Sequence, residues 1–407
     1  MSKTYKIIYY ILLTAILAWL LPWLYNLATL KRERTPFALY SEIIEDFAMI
    51  NVNQNEKDLR YTDRKGNFYT EMQFDSILPM FYYRQLVTDN RLPDTVQGVP
   101  ITAPKIRREN FIFRSRPADI NVHNPKLYPL LESRSKRVDL TMPDDVFRLT
   151  KNGIEFIDME SNRVNREKSA LFQSVFQQKE VAFPIQTIAG NPTNRKEYDE
   201  GYLFTDNEGK LFHLKRMQGR PFLRPIPIDA EIDIAQIWVT EFSNRKYFGF
   251  LTDVNNNFYA LTAPDYKLKK VEIPPFNPKK ENMTIFGNMF TWTVVQTDKT
   301  DEILTAIDAK TFTAIDSMAF SSPEKDKTGL ASYLFPLQLS FTSTKDKFFY
   351  PRLKEFSYRA LALNLVLLVV YIVLFRKTKF TATKLIKALA IAVLGVFAFI
   401  PALLMRG

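Results

Sequence analysis

Three apolar runs bracket a long middle that alternates aromatic and polar residues. Ile7 to Leu30 is apolar apart from Thr14, Asn26 and Thr29; Ala360 to Phe375 has one polar residue, Asn364; Ala388 to Met405 has none. A membrane-spanning helix needs roughly 20 mostly apolar residues, with about 17 as the lower limit. The first run meets that alone. The second reaches it by drawing in Phe356 to Arg359, with Arg359 snorkelling to the interface, and the third by adding Leu385 and Ile386. The pattern predicts a short cytoplasmic N-terminus at 1–6 and spans at 7–30, 356–375 and 385–405. An exported domain occupies 31–352, and a basic loop at 376–384 joins the last two spans.

The first run resembles a signal peptide in its basic start, Lys3 and Lys6, but it exceeds the usual apolar stretch of about 7–15 residues and lacks a small-x-small cleavage site. Trp19, Trp23 and Tyr25 cluster at its far end, where aromatic side chains favour a membrane surface. These features predict an uncleaved signal anchor, with Trp19, Trp23, Tyr25 and Arg359 as interface anchors.

Within the middle, a pattern repeats. Leu203-Phe204-Thr205-Asp206-Asn207-Glu208-Gly209-Lys210-Leu211-Phe212 aligns without a gap to Phe250-Leu251-Thr252-Asp253-Val254-Asn255-Asn256-Asn257-Phe258-Tyr259, 47 residues later. Each reads as a strand ending in Thr-Asp, a polar turn and a second strand, the signature of a hairpin. Tyr61-Thr62-Asp63 to Phe68-Tyr69 matches closely. Further copies start at Thr297 and Thr342, each 45 residues after the last, and a degenerate one at Thr150. A worn unit around Phe111 to Ser115 fills the gap between Thr62 and Thr150. Seven signals spaced near 45 residues predict an all-β domain of the β-propeller kind, with seven blades. Isolated Thr-Asp turns also occur in ordinary sandwiches; the near-constant spacing is what favours the propeller. Prolines crowd residues 91–143, predicting long loops or a decorated blade there. Lys168 to Gln178 reads as an inserted helix, and Ala38 to Phe47 as a short helix before the first strand.

Charge sharpens the membrane reading. The net charge is +11, yet residues 31–350 carry only +1; the excess lies beside the apolar runs. A basic face on the domain itself, which nucleic-acid binding requires, is therefore missing, and no nucleic-acid partner is expected. Arg376, Lys377, Lys379 and Lys384 occupy the loop between the last two runs with no acid among them. With Lys3 and Lys6 they predict that the loop and N-terminus are cytoplasmic, and that the large domain and the C-terminal end face outward. The Lys31-Arg32-Glu33-Arg34 patch opposes this only mildly. The expected location is the cytoplasmic (inner) membrane.

There is no cysteine, so disulfides and thiolate chemistry are excluded. Neither a phosphate-binding glycine loop nor a nucleophile elbow is present. With only His123 and His213, a His/Cys metal site is excluded. His213, following Phe212 on a strand, is expected at an ordinary surface or half-buried position. Acid groups stand at Asp144-Asp145, Asp199-Glu200 and Asp298-Asp301-Glu302; the last falls in an expected hairpin turn, where solvated turn chemistry is the expectation. No catalytic, cofactor or metal-binding residue is assigned.

The stretches Ala18-Trp19-Leu20-Leu21-Pro22-Trp23-Leu24-Tyr25-Asn26, Pro36-Phe37-Ala38-Leu39-Tyr40-Ser41 and Tyr82-Tyr83-Arg84-Gln85-Leu86, the last followed by Arg91-Leu92-Pro93-Asp94, resemble an uncharacterised bacterial membrane-protein family. That family has one N-terminal span, an exported domain and two C-terminal spans, without an assigned activity. The resemblance implies an accessory role beside ABC-type export systems. The leading expectation is a non-enzymatic binding or scaffold protein whose partners are the lipid bilayer and other membrane proteins. The alternatives are an envelope hydrolase acting on glycan or peptide, and a sensor signalling through its anchors.

Overall fold

The repeated Thr-Asp unit folds as a hairpin closed by its own aspartate. Asp63 Oδ1 accepts the backbone N–H of Asn67 (2.9 Å), and Oδ2 accepts both Asn67 Nδ2 (2.7 Å) and the Tyr69 hydroxyl (2.9 Å). Asp253 does the same with Asn257 (2.8 and 2.7 Å) and Tyr259 (3.0 Å). Asp206 keeps the backbone bonds, accepting from the N–H groups of Glu208 and Lys210, because Lys210 and Phe212 stand where the other two turns have asparagine and tyrosine. The third residue after each aspartate is left-handed: Gly66 (φ 85°), Gly209 (80°) and Asn256 (65°). Glycine and asparagine tolerate that conformation, so the turn dictates the residue types seen in the repeat.

In the computed structural model, residues 3–29, 35–52, 59–134, 138–298, 301–321, 329–377 and 381–405 are described. The chain divides into two compact units, Met1–Arg34 with Ser321–Gly407, and Thr35–Phe320. Helix α1 (Lys3–Thr29) opens the first unit and is the one described helix long and apolar enough to cross a membrane.

Among the described residues, Thr35–Phe320 holds five antiparallel sheets of three or more strands, and a two-stranded pair of Thr95–Val96 with Val99–Pro100. Sheet 1 spans Phe37–Ser41, Asp46–Val52, Leu59–Asp63 and Phe68–Tyr69. Three helices follow: α2 (Glu71–Ile77), α3 (Pro79–Thr88) and α4 (Ala103–Glu109). A Thr70–Gln73 capping box starts α2, and Pro79 starts α3 at a position where its missing N–H costs nothing. The strand Phe111–Ser115 and the single turn α5 (Pro117–Ile120) come next. Sheet 2 is Asp145–Leu149, Ile154–Asp158 and Arg163–Asn165, followed by α6 (Arg166–Gln178). Sheet 3 runs from Thr187 to Ile226, and sheet 4 from Ile234 to Val271. Sheet 5 comprises Asn282–Gly287, Thr291–Thr297, Asp301–Asp308 and Ala314–Ser321, with Phe111–Ser115 added at its edge.

The sheets pack face to face through aromatic and aliphatic side chains. Phe147, Phe156, Phe204 and Phe212 join sheets 2 and 3, with Phe172 and Phe176 of α6. Leu203, Leu211, Leu251 and Leu261 join sheets 3 and 4. Phe250, Phe258, Trp292 and Ile307 join sheets 4 and 5, and Tyr40 and Phe47 meet Leu304 and Ala306 between sheets 1 and 5. The stacking order is 2-3-4-5-1. Successive four-stranded meanders laid face on face are the building plan of a propeller.

Seven hairpin signals thus resolve into five sheets. Phe111–Ser115 pairs with Asn282–Gly287, far away in sequence, and forms no sheet of its own. The last signal, Phe341 to Phe349, lies in the other unit, between two three-residue strands, Gln338–Ser340 and Arg352–Lys354. Residues 299–300 in the turn of the Thr297 signal lie outside the described residues. The inserted helix is present as α6. The helix expected over Ala38 to Phe47 is instead two strands with Tyr40 opposite Phe47. Ala38 and Tyr40 face sheet 5 while Leu39 faces α2, so both faces are buried and the strand shows no polar alternation.

The first unit continues with α7 (Ala331–Leu334), α8 (Ala360–Phe375), α9 (Ala382–Leu394) and α10 (Val396–Leu404). The run expected as one span over 385–405 is therefore two helices broken at Gly395.

Replacing Asp253 by Ala strands the Asn257 and Tyr259 donors, and is expected to cost about 1–3 kcal/mol in denaturant unfolding of the full chain. Lys210→Ala, which removes only an exposed pair with Glu208, is expected to cost under about 1 kcal/mol. Burial works to raise the Asp63 and Asp253 carboxyls, but their hydrogen bonds outweigh it and hold both below the usual carboxylate range. Their contribution is present above the unfolded carboxylate pKa and lost as pH falls through the depressed native value. Asp253→Asn should therefore lose less stability than the parent between about pH 5 and pH 3.

Candidate functional site

A cavity of about 660 Å³ opens where the first strand of sheet 1, helix α3 and the edge of sheet 5 come together. Its walls are largely apolar, with Leu39, Leu78, Met80, Phe111 and Phe286 among them. Gly287 lets the Phe111 ring in; a Cβ there would overlap that ring. At the cavity's edge Phe81 packs against Phe37 (5.9 Å between ring centroids) and Phe286 (6.4 Å), and both Phe37 and Phe81 remain exposed.

One carboxyl lies in this apolar setting. Glu42 follows the first strand in the turn to Asp46–Val52 and is only 4% exposed. Its Oε1 accepts from Asn288 Nδ2 and from the Thr291 hydroxyl, each at 2.6 Å. Burial pushes the Glu42 carboxyl up, and these hydrogen bonds offset only part of the effect. Asn110 adds a second polar group. Its Nδ2 donates to the Met80 carbonyl (2.6 Å), while its buried Oδ1 has no donor among the described residues. Arg84 is the cation at the wall, its Nε donating to the Tyr83 hydroxyl (3.3 Å). Such a concave, mostly apolar site with a few placed polar groups suits a small ligand that offers hydrogen-bond donors.

His213 is the other buried titratable group of note. Rather than lying at a surface or half-buried position, it is fully enclosed between sheets 3 and 4. Nε2 meets the Glu200 carbonyl (2.5 Å) and Nδ1 meets the Tyr266 hydroxyl (2.9 Å). A carbonyl only accepts, so Nε2 carries the proton and Nδ1 accepts from Tyr266. Burial, reinforced by Lys215, pushes the imidazole down to about 3, and it is neutral. Asp199 and Glu200, close to His213 in the chain, are both paired with lysines. Lys196 bridges Asp199 (2.6 Å) and Glu241 (2.5 Å), all three side chains nearly enclosed, and Lys215 pairs with Glu200. Asp145 binds Lys168 at 2.6 Å. His123 is exposed.

The residues picked out for topology sit at helix ends and on α1. Trp19 and Trp23 stack at 6.5 Å and are exposed, and Tyr25 packs on Phe335. Arg359 lies at the N-cap of α8, over the Tyr333 ring. Lys3 and Lys6 lie in the first turn of α1; Arg376 and Lys377 follow α8, exposed; Lys384 sits in the first turn of α9. Lys379 lies outside the described residues. None of these lines the cavity. Sequence reasoning missed Glu42, Asn110 and α3. The Thr70-x-x-Gln73 box and Pro79 were the signals that mark helices there.

Residues 37–307 match a family described as "Domain of unknown function (DUF4857)". No curated protein matches the chain. Among solved structures, PorZ of Porphyromonas gingivalis, a surface component of the type-IX secretion system, is 9% identical; the match covers 73% of this chain and 33% of PorZ, at a TM-score of 0.23. The β-propeller domain of Myceliophteria thermophila Cps50 (Swd1) is 12% identical, over 55% of this chain and 62% of that one, at 0.25. Apo AztD from Citrobacter koseri is 10% identical, over 72% and 76%, also at 0.25. The chain thus spans about a third of PorZ and under two thirds of the Cps50 domain.

Because the Glu42 carboxyl is raised, its stabilising share is full below the unfolded carboxylate pKa and is lost as pH rises through the native value. Glu42→Gln, which stays neutral, is expected to match or exceed the parent's stability at pH 8. Glu42→Ala, which leaves Asn288 and Thr291 unpaired, should cost about 1–3 kcal/mol near pH 4, and less as pH rises and the parent loses the contribution of the raised carboxyl. Thermal unfolding across pH checks both.

Proposed function

The chain belongs to the DUF4857 family, and from that premise we propose that it is a membrane-anchored, non-enzymatic binding or scaffold protein whose β domain, propeller-like in plan, holds a small ligand or a partner's side chain in the Glu42 cavity. The cavity carries this reading. Its volume falls in the range of small-molecule sites, roughly 300–1,000 Å³, and its polar groups are few and fixed. Its one acid is already engaged by Asn288 and Thr291, and among the described residues of the lining there is no second carboxylate for the hydrolytic alternative.

The α1 helix supports an anchor, and the placement of basic residues around the apolar runs supports a β domain on the outer face of the inner membrane. The resemblance to proteins found beside ABC-type exporters supports an accessory role in such an assembly.

Native mass spectrometry of the full chain, released from membranes in mild detergent, tests the proposal. A bound small molecule or an associated membrane protein is expected, and Ile112→Trp, which fills the cavity wall, should reduce its occupancy at least tenfold. A strictly monomeric, ligand-free parent would count decisively against this function.

A further inference from the structure

The C-terminal apolar run does not cross from end to end. Helix α9 has 13 residues and α10 has nine, about 20 Å and 14 Å at 1.5 Å per residue, against a hydrocarbon core of about 30 Å. Lys387 Nζ donates to the Met405 carbonyl at 2.9 Å. In one continuous helix those residues would stand about 27 Å apart, beyond a lysine's reach. The chain therefore doubles back at Gly395, whose φ of 56° and ψ of −126° suit glycine alone.

The turn is covered by protein. Asn364, in α8 and fully buried, donates through Nδ2 to the carbonyls of Ala392 (3.1 Å) and Val393 (3.2 Å), which the end of α9 leaves without helical partners. Its Oδ1 occupies the space that a Cβ on Gly395 would need. The Tyr10 hydroxyl of α1 donates to the Ala398 carbonyl (3.1 Å), one turn into α10. Irregular backbone is tolerated at membrane depth only when buried this way. The outer side of α9 presents Leu385, Ile386, Leu389 and Val393, all exposed and all apolar.

We infer that α9 and α10 form a re-entrant hairpin that dips into the bilayer against α1 and α8, its outer face covered by lipid acyl chains, and returns Met405 to the side on which Thr381 and Lys384 enter. This rests on the membrane-anchored reading above. Given a cytoplasmic basic loop, it brings Met405 to the cytoplasmic side, opposite to the exit that a third span requires.

The chain has no cysteine, so single cysteines report without background. Lys384→Cys, Leu404→Cys and, in the β domain, Lys269→Cys are each reacted with a membrane-impermeant maleimide in spheroplasts and in inverted vesicles. Lys384→Cys and Leu404→Cys are expected to label from one side, with at least tenfold preference, and Lys269→Cys from the other. Leu404→Cys labelling from the side opposite to Lys384→Cys, or only after detergent, overturns the hairpin. If both label together from the spheroplast side, the hairpin stands and the orientation fails. Extraction of the parent chain by alkaline carbonate would defeat the anchored reading and the hairpin with it.

Discussion

A carboxylate that accepts three donors within one hairpin is the interaction on which the β domain depends. Asp63 and Asp253 each bind a backbone amide, a side-chain amide and a phenol from the six residues that follow. These bonds are local, so the turn sets strand register without needing any distant contact. Register in turn decides which residues face the neighbouring sheets: on the strand that the Asp253 turn ends, Leu251 points to sheet 3 and its neighbour Phe250 to sheet 5, as the alternation of strand side chains requires. Where the asparagine and tyrosine are missing, Asp206 keeps the backbone bonds and turns its other oxygen to the Ala182 N–H, tying the turn to the segment after α6.

Without disulfides, cohesion between sheets comes from aromatic packing and from buried charge. Phe176, Phe204 and Phe212 stack in sequence at 5.5 and 5.2 Å, carrying α6 into the core of sheets 2 and 3. Lys196, Asp199 and Glu241 add a different restraint between sheets 3 and 4. Removing one member of such a buried set costs about 3–5 kcal/mol, since the others stay desolvated and unpaired. His213 belongs to the same region and the same logic: neutral, enclosed and satisfied, it behaves as a polar core residue.

Local chemistry was legible in the sequence and distant pairing was not. The hairpins at Asp63, Asp206 and Asp253, the helix over Arg166–Gln178 and the apolar run of α1 all follow from spacing within a few residues. The number of sheets does not, because Phe111–Ser115 looks like one more repeat until it pairs with Asn282–Gly287. Ala38–Phe47 misleads for a related reason: a strand buried on both faces has no alternation to read. The cavity draws Glu42, Met80, Asn110 and Asn288 from four separate segments, and no spacing rule brings them together.

The C-terminal run shows the limit of hydropathy most clearly. Both arms of the hairpin are apolar, so their sum passes for one span, and glycine in an apolar helix is unremarkable. What distinguishes the two folds is polar: a carbonyl at Ala392 or Val393 needs a donor once the helix ends, and Asn364 supplies it from α8. The only strongly polar residue in the second apolar run is thus explained by the break in the third. A lone asparagine buried among apolar side chains is expensive unless it has such work. Had the third run been a continuous helix, its own amides would have satisfied those carbonyls and left Asn364 without a partner.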